Sequence, residues 1–220
     1  MTAIAVNRLH WPVKVLGPGR RVGIWMQGCS IRCPGCVSRD TWPSLDDTDH
    51  ITTSELLSRI DALVADGPPG PVEGVTISGG EPFDQIEALE DLLKLLRRWL
   101  DDRGGAYSDL LVYTGYDERE ARRRGPEVFS LTDAVIVGPF RVGEPGTGWW
   151  GSGNQRLIAG DERSAARYQA ALADAGAEVQ VSVEGGQIFV IGIPRRRTLA
   201  AVESRLARSG IRLEDVSWRP

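Results

Sequence analysis

The sequence predicts an α/β fold, a parallel sheet or barrel with helices between its strands, followed by a small α+β segment of order α-β-β-α. Two observations carry this. Short apolar runs at Val22 to Gly28, Val75 to Ser78, Leu110 to Tyr113 and Ala134 to Val137 have strand length and alternate with helical patterns. After Asp161 the order changes to helix, two alternating strands and helix.

The first strand, Val22 to Gly28, delivers the chain directly into Cys29. A helix then begins at Thr52, where Thr52 and Glu55 form a capping box and Leu56, Leu57, Ile60, Leu63 and Val64 share one face. Pro68, Pro69 and Pro71 end it, and the strand Val75 to Ser78 runs into the Gly79-Gly80 turn. The next helix is expected to start from a second capping box, Asp84 and Glu87. Its apolar stripe is Ile86, Leu89, Leu92, Leu93, Leu96 and Leu100. A polar helical stretch around Asp117 to Arg124 separates the last two strands of this part.

Beyond it, a helix from Arg163 to Ala175 is stopped by Gly176. Strands Glu178 to Glu184 and Gln187 to Ile191 are joined by Gly185-Gly186, a hairpin signature. A helix from Thr198 to Arg208 ends at Gly210, and a last strand is expected at Ile211 to Val216. The division expected is a core domain over residues 1–158 and an accessory α+β domain over 159–220.

With 220 residues, 41% hydrophobic and 25% charged, the chain has ordinary globular usage. Its 26 Lys and Arg against 30 Asp and Glu give a formal charge of -4, so no basic excess points to nucleic acid. The basic runs Arg122 to Arg124 and Arg195 to Arg197 read as solvated surface. No apolar stretch reaches the ~18 residues that span a bilayer, and no secretory signal opens the chain. A soluble, cytoplasmic protein is expected.

All three cysteines lie in Cys29-Ser30-Ile31-Arg32-Cys33-Pro34-Gly35-Cys36. They make one local site rather than a disulfide framework. Thiolates suit zinc, copper(I) or iron-sulfur clusters. Structural zinc wants four ligands, and His10 and His50 are not at finger spacing. Three thiolates on a cubane leave the fourth iron open to an exogenous ligand. A thioredoxin-like pair, Cys33 and Cys36, would leave Cys29 idle, and inert buried cysteines are the remaining alternative.

The spacing Cys-x3-Cys-x2-Cys resembles that of the radical S-adenosylmethionine superfamily. Gly17-Pro18-Gly19-Arg20, Gln27-Gly28-Cys29 and Arg39-Asp40-Thr41-Trp42 look like the activating enzymes of glycyl-radical proteins. Cys33-Pro34-Gly35-Cys36, Tyr113-Thr114-Gly115-Tyr116 and Trp150-Gly151-Ser152 with Asn154-Gln155 are most similar to the activators of anaerobic ribonucleotide reductases. The resemblance covers about residues 1 to 158. Gly35 replaces the aromatic residue most of the superfamily has there, as it does in the reductase activators, and Ser38 stands where those activators usually carry Asn. Residues after 158 have no counterpart in the short activators.

The resemblance implies an incomplete, TIM-like α/β barrel of the radical S-adenosylmethionine type, open on one side, with the site at the carboxyl ends of its strands. It implies one 4Fe-4S cluster on Cys29, Cys33 and Cys36 and reductive cleavage of S-adenosylmethionine to a 5'-deoxyadenosyl radical. Ser78, Gly79, Gly80 and Glu81 would bind the methionyl group, with Glu81 facing the ammonium, while Thr114, Tyr116 and Asn154 would contact the nucleoside. Gly146-Thr147-Gly148-Trp149-Trp150-Gly151 matches a dinucleotide loop by letter but lacks its strand-to-helix setting, so Trp149 and Trp150 are expected to pack or cover the site.

An outside electron donor of the flavodoxin or ferredoxin type is expected, because no cysteines remain for a second cluster. The expected substrate is a glycyl-radical enzyme. The rivals are the same chemistry on another peptide or small molecule, and a noncatalytic metal or redox module.

Overall fold

A computed structural model describes residues 2–103, 108–146, 148–173, 179–194, 197–214 and 216–217. In chain order the elements are β1 (Ala3–Ile4), β2 (Val6–Val13), β3 (Arg21–Met26), β4 (Ile51–Thr52), α1 (Thr53–Asp66), β5 (Gly74–Gly79), α2 (Ile86–Asp102), β6 (Asp109–Thr114), α3 (Glu118–Arg124), α4 (Pro126–Leu131), β7 (Ala134–Val137), β8 (Arg156–Ala159), α5 (Glu162–Ala173), β9 (Val179–Glu184), β10 (Gln187–Gly192) and α6 (Thr198–Arg208).

Six strands form the main sheet in the order β2-β3-β5-β6-β7-β8. The four central strands are parallel, and an antiparallel strand closes each edge. This is a mixed α/β sheet with a parallel centre, as the strand and helix alternation predicts. Two small antiparallel pairs, β1 with β4 and β9 with β10, lie outside it.

Alternate residues of the parallel strands face opposite sides. On one side Val22, Ile24, Val75, Ile77, Leu110, Val112 and Val135 join a buried cluster with α1 and α2. The α2 stripe is buried at Leu89, Leu92, Leu93, Leu96 and Leu100, as its 3.6-residue period predicts. On the other side Leu111, Ala134 and Ile136 meet Trp149 and Tyr168, while Trp25 meets Val13, Leu16 and Ile191. Thus α5 and the β9–β10 hairpin cover the sheet face that α1 and α2 leave open.

A buried polar cluster fastens α5 at the amino ends of the strands. Arg21, fully buried, pairs with Asp109 and donates to Thr76 Oγ1 at 2.6 Å and to the Pro18 carbonyl at 2.9 Å. The Tyr168 hydroxyl donates to Asp109 Oδ1 at 2.7 Å, and Arg167 Nε stands 2.8 Å from Asp109 Oδ2. Asp109 therefore holds three side chains from two separate stretches of chain.

Several expectations meet the structure closely. Thr52 Oγ1 accepts from the Glu55 amide at 3.1 Å, capping α1. The hairpin turn has Gly185 and Gly186 at φ of 56° and 80°, the left-handed pair such a turn requires. Arg122 and Arg123 sit on exposed helix surface and pair with Glu118 and Glu120. Trp149 packs edge-on against Tyr168 beneath the sheet.

Others need correction. Asp84 does not cap α2: the helix enters from a 3-10 turn over Pro82–Gln85, and the Asp84 carboxylate is used elsewhere. No strand forms over residues 211–214. The Gly176 stop, Glu178, Thr147, Arg195 and Arg196 lie outside the described residues. Five elements went unpredicted: β1, β2, β4, β8 and α4.

Candidate active site

The parallel strands converge at their carboxyl ends on one cavity of about 250 Å3. Cys29, Cys33 and Cys36 line it together with Ser78, Gly79, Gly80, Glu81 and Thr114. Four chain segments thus meet there: β3 leads to Cys29, β5 ends at Gly79, β6 ends at Thr114, and β7 leads to Gly138 and Phe140. The carboxyl end of a parallel sheet is the ordinary place for a ligand.

The cysteine loop turns tightly. Arg32 takes a left-handed φ of 49° and Gly35 one of 76°. The left-handed φ at Gly35 favours glycine rather than an aromatic residue before Cys36, and a Cβ there would also lie 2.4 Å from Val142 Cγ2. Cys29 Sγ accepts from the Arg32 amide at 3.4 Å, and nearby N–H groups favour the thiolate at the other two, the Phe140 amide at Cys33 and the Ser38 amide and Trp42 indole at Cys36. Burial pushes all three thiols above the ordinary range, and these donors pull them back toward the thiolate.

Among the described residues, no three His, Cys, Asp or Glu side chains converge as a single metal ion requires. The three thiols line one cavity, with neither His in its lining. Three soft ligands with no His beside them fit an iron-sulfur cluster, in which each thiolate takes one iron.

The Gly79-Gly80 turn works differently from a bare ligand cradle. A Cβ on Gly80 would lie 2.0 Å from the Gly28 carbonyl, and one on Gly79 would lie 2.5 Å from the Met26 amide. The glycines let the end of β5 press against the backbone that enters the cysteine loop. The Gly80 amide donates to Met26 O and the Glu81 amide to Gly28 O, both at 2.8 Å.

Glu81 is buried, and three protein donors already occupy its carboxylate: Thr114 Oγ1 at 2.8 Å and the Phe83 amide at 3.0 Å on Oε1, and the Gly115 amide at 2.8 Å on Oε2. Burial pushes its pKa up to about 7 against the pull of those donors. Its carboxylate locks β5 to β6, and Thr114 is the other half of that lock.

Tyr116 and Asn154 are not among the lining residues. The Tyr116 hydroxyl contacts Asp84 Oδ1 at 3.0 Å and Ser30 Oγ at 2.9 Å, while Asp84 also accepts from the Ser30 amide at 2.7 Å. Asp84 and Tyr116 thereby hold the residue next to Cys29. Asn154 Nδ2 donates to the Pro139 carbonyl at 2.9 Å, shaping the loop after β7. Gln155 does line the cavity; it donates to Gly138 O and accepts from the Gly151 amide. Sequence reasoning missed Asp84 as a support of the cysteine loop, because its partners lie 54 and 32 residues away.

Residues 15–158 match the family model described as a 4Fe-4S single cluster domain. An anaerobic ribonucleoside-triphosphate reductase-activating protein of Salmonella typhi is 30% identical over 149 residues, covering 66% of this chain and 93% of that protein. The Escherichia coli (strain K12) protein of the same name is 29% identical over 153 residues with the same coverage. A pyruvate formate-lyase-activating enzyme of Staphylococcus epidermidis is 38% identical over 130 residues, and the match spans 47% of that enzyme. The three-cysteine cavity and these relatives agree on a 4Fe-4S cluster with S-adenosylmethionine as the cofactors. The chain belongs to the 4Fe-4S single cluster domain family, among the radical S-adenosylmethionine activating enzymes.

Proposed function

We propose that Cys29, Cys33 and Cys36 hold one 4Fe-4S cluster, and that the chain uses it with S-adenosylmethionine to activate a glycyl-radical enzyme, an anaerobic ribonucleotide reductase first among the partners to test. The observation that carries this is the meeting of three thiols and the Ser78–Glu81 turn in one cavity. The names of the relatives supply the class of partner.

When bound, the cluster supplies a single electron to the sulfonium of S-adenosylmethionine. The chain's own residues position and shield. Asp84, Ser30 and Tyr116 fix the start of the cysteine loop. Glu81 and Thr114 hold the Gly79-Gly80 turn against it, so the backbone beside the turn, rather than the occupied carboxylate, is the part offered to a methionyl ammonium. Leu16, Trp25, Phe140 and Ile193 give the cavity apolar walls that exclude water.

Within the same reading, β3, β5, β6 and β7 are the parallel strands of an incomplete barrel. Residues 1–158 are the catalytic core, and a flavodoxin- or ferredoxin-type donor supplies the electron. The test is anaerobic reconstitution of the full chain, then spin-resonance spectroscopy with and without S-adenosylmethionine, and assay for 5'-deoxyadenosine and for a glycyl radical on the partner. Iron and sulfide near about four each per chain support the cluster, whereas one zinc without sulfide removes it.

A second reading keeps the chemistry and changes the substrate to another peptide or small molecule. It is favoured by the cavity residues contributed from beyond position 158, where the family match ends. Product analysis by mass spectrometry separates the two.

A further inference from the structure

The chain returns to the cavity after the family match stops. Ile188, Phe189 and Val190 of β10, with Ile193, Leu199 and Ser217, line the same space as the three cysteines. None of the lining residues beyond 158 carries an ionisable side chain. The core part of the lining brings the three thiols, the glycines of the Gly79-Gly80 turn, the occupied Glu81 carboxylate and apolar side chains such as Leu16, Trp25 and Phe140.

This added wall is anchored at three places. The Phe189 ring meets His10 edge-on with centroids 4.6 Å apart, and Ile191 is buried against Val13, Leu16 and Trp25. Gln180 of β9 donates to the Pro12 carbonyl at 2.7 Å and accepts from the Lys14 amide at 3.1 Å. Ser217 Oγ donates to the Val37 carbonyl at 2.7 Å, one residue beyond Cys36.

The hairpin also joins the cavity to the surface. Its register places Val183 opposite Ile188 and Val181 opposite Val190, so these four side chains share one face. Ile188 and Val190 line the cavity, while Val181 and Val183 are 48% and 68% exposed. The result is an apolar strip running from solvent to the thiols. Among the described strands β9 pairs only with β10, which leaves an open edge for strand addition.

We propose that the β9–β10 hairpin, with Ile193, Leu199 and Ser217, forms the substrate-side wall of the cavity, and that the hairpin guides an uncharged, extended segment of the protein substrate along this strip. An uncharged segment is required because a charged one would be desolvated against Ile188, Val190 and Leu199 with no partner. Extended backbone fits a strand edge and an alternating row of valines. The inference rests on the radical chemistry proposed above and adds to it where and in what form the substrate enters.

The test uses the reconstituted full chain and the double variant Val181→Asp/Val183→Asp, whose exposed positions spare the core. The quantity read is glycyl radical formed on the partner per 5'-deoxyadenosine produced, with iron and sulfide content checking assembly. A fall of about tenfold or more supports the wall, since charges now line the approach. An unchanged ratio overturns it, including the case in which both products fall in parallel.

If the wild-type chain makes 5'-deoxyadenosine but no radical on any glycyl-radical partner, the activator reading fails by itself. A second measurement then decides the wall: amide hydrogen exchange of residues 179–192 in the reconstituted chain, with an uncharged Gly- and Val-containing peptide and with the same peptide bearing Asp. Slower exchange with the uncharged peptide alone supports the proposal. No slowing, or equal slowing by both, overturns it.

Discussion

Replacing Asp109 with Ala should cost about 3–5 kcal/mol of folding stability, the range for removing one partner of a buried ion pair. The size follows from what the carboxylate holds. Arg21 is wholly buried and would keep its charge with only Thr76 and backbone carbonyls as partners. The Tyr168 hydroxyl would lose its acceptor and the Arg167 guanidinium its ion-pair partner together. Tyr168→Phe removes one bond and leaves the ion pair, so about 1–2 kcal/mol is expected. The double variant Arg21→Met/Asp109→Leu removes both buried charges and should cost less than Asp109→Ala alone. Urea unfolding of the full chain, followed by circular dichroism and tryptophan fluorescence, measures all three at constant slope. A loss below about 1 kcal/mol for Asp109→Ala, or a double variant as costly as Asp109→Ala or more, would refute the assignment of this cluster as the anchor of α5.

Glu81 should make stability depend on pH in an unusual direction. Its pKa of about 7 in the folded chain exceeds the ordinary 4.5, so the folded form keeps a proton that the unfolded form has released. That contribution is complete below pH 4.5 and is lost as pH rises through 7. The advantage of wild type over Glu81→Gln should therefore shrink by roughly 3 kcal/mol between pH 4.5 and 8, and a difference that grows with pH contradicts it. Asp84→Ala releases Ser30 and Tyr116 beside Cys29 and should weaken iron retention about 10- to 100-fold under chelator challenge, judged by iron per chain. Retention equal to wild type would show that the loop stands without it. Gly80→Ala puts a Cβ 2.0 Å from the Gly28 carbonyl and should lower both the melting temperature and the iron loading, because the clash is with backbone at the loop entrance.

What the sequence made legible was local. The three thiols sit within eight residues, so their spacing alone named the site. The α2 stripe and the glycine pair of the hairpin likewise declare themselves within a few turns of chain. Strand β2 escaped because two irregularities in its pairing with β3 break the two-residue period, and Pro12 lies inside it. The protein partners of Glu81 and Tyr116 stayed hidden for a different reason. Both side chains looked free to meet a ligand, and only the folded chain shows Glu81 occupied by residues 33 and 34 positions away, and Tyr116 by Asp84 and Ser30. The cavity wall from β10 was invisible for the same reason, since nothing in Ile188-Phe189-Val190 names the thiols it faces.

The bond from Ser217 to Val37 joins positions 180 residues apart, and that has a consequence during synthesis. At about 5–20 residues per second, the cysteine segment is made about 9–36 s before Ser217. Through that interval the thiols lack the wall that β10 and Ser217 add. A cluster delivered by a carrier has free passage early, and so does dissolved oxygen, until the finished chain shuts the interval.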